Sequence, residues 1–141
     1  VDQKTQKYMA RMVDAIQPHC DEPVIAAMTC SHAGSMSAGL RASLLGGAIR
    51  RTSDLPNPVF LAVSPQTVRA FDYRPRGFKF KIKKEVARWP RADLTVAVEK
   101  TARMAYFTIT TAAGDTYPLE VVTVMGAEPA VDLFLSALSG S

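Results

Sequence analysis

The sequence predicts an α+β fold that is mainly β: a run of antiparallel strands, preceded by one helix and closed by a single C-terminal helix. Three observations predict it. From Val59 onward apolar residues recur with a period of two, the spacing of a pleated strand. The runs are punctuated by the turn signals Ser64-Pro65-Gln66, Arg74-Pro75-Arg76-Gly77 and Ala112-Ala113-Gly114-Asp115. The last periodic segment then switches to helical spacing, with Val131, Phe134, Leu135 and Leu138 at i, i+3, i+4 and i+7. The chain of 141 residues reads as a single domain, 1–141. That length supports a hydrophobic core without disulfides or metals.

Each element follows from its own residues. An N-terminal helix is predicted over 2–17, because Tyr8, Met9, Met12, Val13 and Ile16 form one apolar stripe and Pro18 stops it. Pro23 to Cys30 is a short apolar run and the first strand. Residues 31–57 form a Gly/Ala-rich insert. There Met36, Leu40, Leu44 and Ile49 share a face if it is helical, but Gly39, Gly46 and Gly47 each weaken a helix by about 1 kcal/mol relative to Ala.

Val59 to Val63 is apolar on both faces, so a strand buried on both sides is expected. In Thr67 to Tyr73, Val68, Ala70 and Tyr73 point inward, against Arg69 and Asp72 outward. The clearest alternation follows: Phe80 and Ile82 inward, Lys79, Lys81 and Lys83 outward, with Val86 and Trp89 continuing the inner face past an irregularity at Lys84–Glu85. Leu94, Val96 and Val98 mark the next strand. Ala105, Phe107 and Ile109 face a hairpin partner containing Tyr117 and Leu119, joined through Gly114. The capping helix is predicted over 127–138, with Pro129 in its first turn, where the missing N–H costs nothing.

Charge is uneven. Residues 69–103 hold 11 Lys/Arg and 4 Asp/Glu, while the chain as a whole is only +4. Such a block predicts a basic surface that meets phosphate, an anionic membrane or an acidic partner; its plainer counterpart is a solvated strand face. Cys20 and Cys30 lie near His19 and His32, but their spacing is not that of a zinc finger, so free thiols are expected, with no metal and no cofactor. No nucleophile elbow or phosphate-cradling loop is present; Leu45-Gly46-Gly47-Ala48 lacks the Lys-Ser/Thr of a P-loop. A non-enzymatic protein is the expectation. Residues 2–7 are polar and no apolar stretch follows, so no secretory signal is expected. The run Ala33–Ile49 is too short and too polar to span a bilayer. The expected location is the cytoplasm, with peripheral contact at a membrane open.

The run Val59 to Asp72 (Val-Phe-Leu-Ala-Val-Ser-Pro-Gln-Thr-Val-Arg-Ala-Phe-Asp), followed by the strand Phe80–Val86, the hairpin Phe107–Leu119 and the helix Ala127–Leu138, resembles a bacterial pleckstrin-homology-like (PH-like) domain. The Gly/Ala-rich insert resembles that of uncharacterised actinobacterial members. The resemblance covers roughly 23–139. It implies seven strands in two near-orthogonal antiparallel sheets, a sandwich or open barrel capped at one corner by the C-terminal helix. In that superfamily the loop after the first strand often binds phosphoinositides through a Lys-x(n)-Lys/Arg-x-Arg pattern. Here it carries only Arg41, Arg50 and Arg51, so that motif is absent and phosphoinositide binding does not carry over.

The resulting expectation is a binding or scaffold module docking to a protein partner or an anionic membrane. Its candidate contacts are Arg74, Arg76, Lys79, Lys81 and Lys83, with Arg41, Arg50 and Arg51 in the insert. Nucleic acid is an alternative through the same face, ranked lower because Phe78, Phe80 and Trp89 read as core and not as stacking platforms. Self-association through the N-terminal helix or the Met36/Leu40/Leu44 face is a further alternative.

Overall fold

The computed structural model describes residues 2–33 and 55–140. The chain runs α1 (Gln3–Ile16), β1 (Ala26–His32), β2 (Val59–Val63), β3 (Thr67–Arg76), β4 (Lys79–Pro90), β5 (Thr95–Lys100), β6 (Met104–Thr110), β7 (Thr116–Val122) and α2 (Glu128–Leu138). Single 3-10 turns follow α1 and β4. All pairings are antiparallel, in the order β4-β3-β2-β1-β7-β6-β5.

β1 is the hinge of that order. Ala26 to Cys30 pair with β2, whereas Ser31 and His32 pair with β7. One short strand thereby ties the first hairpins to the last. The sheet curls enough that Trp89 on β4 meets Tyr117 on β7, with ring centroids 5.5 Å apart, although three strands lie between them in the order.

The helices close this curl. In α1, Asp2 Oδ1 accepts a hydrogen bond from the Thr5 N–H at 2.8 Å and fixes the start of the helix. That bond holds the Asp2 carboxyl below its ordinary range. Met9, Met12 and Ile16 are buried and α1 packs on β1, so most of the apolar stripe read from the sequence is consumed within this fold. α2 buries Val131, Phe134, Leu135 and Leu138, the predicted stripe, with Phe134 edge-on to Phe107 on β6 at 6.1 Å. The Arg91 guanidinium donates to the Ala137 carbonyl and satisfies an acceptor at the C-terminus of α2.

Three expectations need correction. β3 does not stop at Tyr73; it continues through Arg74, Pro75 and Arg76, and the turn is made by Gly77, at φ +58°, and Phe78. A proline is tolerated there because β2 pairs with β3 only as far as Asp72, leaving β4 as the sole neighbour. Arg69 does not face solvent. It is 1% exposed, because the segment between α1 and β1 folds over it. Val98 is 46% exposed on β5, a strand at the end of the order.

Candidate functional site

Because β2 ends at Val59↔Asp72, the pairs Tyr73↔Ile82, Arg74↔Lys81, Pro75↔Phe80 and Arg76↔Lys79 form a two-stranded arm projecting beyond the sheet. Residues 73–84 contain six Lys/Arg and no Asp/Glu. The pleat sorts the arm into two faces. One face carries Tyr73, Pro75, Phe80 and Ile82. The other carries Arg74, Arg76, Lys79 and Lys81, all exposed, with Lys83 exposed further along β4.

The apolar face leans on the body of the protein, with Tyr73 buried, Phe80 and Ile82 half-buried and Pro75 exposed. Phe80 lies 5.3 Å from Phe60 and 5.9 Å from Tyr73, and Phe60 and Tyr73 are 5.4 Å apart, all edge-on. Burial pushes the Tyr73 phenol up from its ordinary value, against a hydrogen bond with Thr29. From α1, the Arg11 guanidinium stands 5.3 Å over the Phe80 ring, and its Nη2 donates to the Phe78 carbonyl at 2.6 Å. Arg11, Asp14 and Ala15 line an open groove of about 420 Å³ with Phe78, Lys79 and Phe80.

The cationic face is uncompensated except at Arg74. Like charges sit directly opposite each other twice, Arg74 against Lys81 and Arg76 against Lys79. Such cross-strand pairs have Cβ atoms only about 5 Å apart and destabilise a sheet. Arg74 reaches Asp72 at 3.1 Å. Among the described residues Arg76, Lys79, Lys81 and Lys83 make no ion pair.

Elsewhere in the basic block three cations are held in ion pairs. Arg69 pairs with Asp21 at 2.6 Å and Glu22 at 2.8 Å, Arg88 with Glu85 at 2.7 Å, and Lys100 with Glu128 and Asp132 at 3.0 and 2.9 Å. Those hydrogen bonds raise the Lys100 ammonium above its ordinary range.

The structure thus brings together five of the predicted residues, Arg74, Arg76, Lys79, Lys81 and Lys83, on one hairpin. Arg41, Arg50 and Arg51 lie outside the described residues, as does the Met36/Leu40/Leu44 face. Two participants were missed. Phe78, read as core, is 90% exposed at the apex of the arm. Arg11, to which the sequence assigns no role, contacts the arm at Phe78 and Phe80. A Gly-Phe pair between two alternating segments is the signal for the first; nothing local signals the second.

The histidines and cysteines are dispersed. His19 stacks edge-on to Phe71, His32 Nε2 lies 3.0 Å from the Pro56 carbonyl, and both thiols are free. Burial raises both thiols above their ordinary range. Among the described residues no three His, Cys, Asp or Glu side chains converge as a metal-ligand set, and no helix is long and apolar enough to cross a membrane. Neither a family model nor a curated protein matches the chain.

Proposed function

We propose that this chain is a non-catalytic docking module on a PH-like scaffold, attaching to an anionic surface through the exposed face of the β3–β4 arm. The scaffold reading is supported by the strand order, by β1 shared between the two groups of strands, and by the closing C-terminal helix. The near-orthogonal sandwich belongs to the same proposal, and the contact of Trp89 with Tyr117 supports it.

One observation carries the docking reading: two like-charged cross-strand pairs on a projecting arm, with no carboxylate among residues 73–84. An anion laid across that face relieves the repulsion that the arm carries when free. Each Lys or Arg near an anionic surface contributes about 1 kcal/mol. Five of them give a dissociation constant on the order of 0.1–1 mM, a weak and salt-sensitive attachment.

The test is retention on a sulfated polyanion matrix across a salt gradient. The quadruple variant R74Q/R76Q/K79Q/K81Q is expected to elute well before the parent. Coincident elution of the two would remove the arm as the docking surface.

A further inference from the structure

We propose that the surface met by the arm is an anionic lipid bilayer, with Phe78 entering the interface. This rests on the docking reading above and names its partner. The apex presents a single side chain. Gly77 has none, nothing lies within 4 Å of where its Cβ would stand, and Phe78 beside it is 90% exposed. Aromatic rings are favoured where hydrocarbon meets headgroups.

Backbone polarity opposes entry of a turn into that region, because an unpaired carbonyl there is costly. The Phe78 carbonyl is already paired, accepting from Arg11 Nη2 at 2.6 Å. Directly below the apex Arg76 stands opposite Lys79. Both are long side chains, whose stems can lie along apolar surface while the charged heads stay among headgroups.

The arm is also one-sided. Its other face packs on Phe60, with Arg11 over Phe80. A ribbon seated in the groove of a duplex is flanked by walls on both sides. A ribbon with one face resting on its own body fits a plane. The geometry therefore favours a bilayer over a duplex, even though the exposed ring removes the sequence-level objection to nucleic acid.

Phe78 adds on the order of ten- to a hundredfold to a contact that charge alone leaves weak. The experiment compares the full chain, F78A and the quadruple glutamine variant on three probes. These are neutral phosphatidylcholine vesicles, vesicles with an added third of phosphatidylserine, and a short DNA duplex. Circular dichroism checks that each variant is folded.

The expected result is parent binding to the anionic vesicles only, a loss of about tenfold or more in F78A, and abolition in the quadruple variant. Retention of F78A on the sulfated matrix should match the parent. A second reading of depth uses F78W in a W89F background, whose emission should shift to the blue and be quenched by brominated lipid. Vesicle binding unchanged in F78A, or a tryptophan at 78 that brominated lipid does not quench, overturns insertion. Matrix retention without vesicle binding overturns the bilayer and leaves the docking reading standing. Duplex binding lost in both variants assigns the arm to nucleic acid instead. Loss of retention on every probe by the parent itself removes the docking reading too.

Discussion

Strand β3 holds arginines in two opposite environments. At Arg69 the guanidinium is 1% exposed and faces Asp21, Glu22 and Glu85, the last with Nε at 3.6 Å. At Arg74 and Arg76 the side chains are exposed, a lysine stands directly across from each, and among the described residues Asp72 is the only carboxylate paired with them, on Arg74. The fold surrounds the inner charge with carboxylates and leaves the outer ones in excess. At Arg69 the chain supplies the counter-ions; for most of the arm it does not. Lysines on β4 have a second use, since β4 is an edge strand and charge discourages edge-to-edge pairing. The same use extends to Arg74 and Arg76, because β3 is itself an edge beyond Asp72, where β2 no longer pairs with it.

The largest test of this contrast is Arg69→Met. It removes a buried charge and takes from the partly buried Glu22 its ion-pair partner, while Glu85 keeps Arg88. A loss of about 3 kcal/mol in unfolding free energy is expected by urea titration, with unaltered retention of the folded protein on the sulfated matrix. A stable variant with weakened retention would place Arg69 with the docking residues and dissolve the contrast. Next in size is Arg11→Ala, which removes the contact on Phe80 and the bond to the Phe78 carbonyl. The expected loss is about 0.5–1 kcal/mol. It should appear as faster amide exchange confined to the arm, with β5 to β7 unchanged. Uniform acceleration over all strands would mean that Arg11 supports the whole core and not the arm.

Much of the inner region was legible because its determinants are local. The stripe of α1, the doubly buried β2 and the stripe of α2 are all set by periodicity within one element. Arg69 was illegible because its partners Asp21 and Glu22 arrive from 48 and 47 residues away. The arm was half legible. Its lysines follow the pleat, but Arg-Pro-Arg-Gly carries every mark of a turn. Only the early end of β2 makes room for a proline in β3. Phe78 was misread because apolar identity normally signals burial, and here a two-residue turn leaves it nothing to pack on.

The smallest expected effect separates the two regions most directly, because its sign is unusual. Lys81→Glu places a carboxylate opposite Arg74 and turns a like-charged cross-strand pair into an attractive one. On structural grounds alone the variant should be more stable than the parent, by about 0.2–1 kcal/mol, read as a rise of roughly 1–3 °C in Tm at low salt. That rise should shrink in high salt as the pair is screened. Affinity for anionic vesicles should move the other way. One cation is lost and one anion gained, each worth about 1 kcal/mol at the surface, so binding falls by about thirtyfold. Opposite changes in stability and binding from one exposed side chain would show that the arm's repulsion is kept for its partner. A fall in Tm would show instead that Lys81 supports the arm by packing, and the uncompensated charge would lose its claim to function.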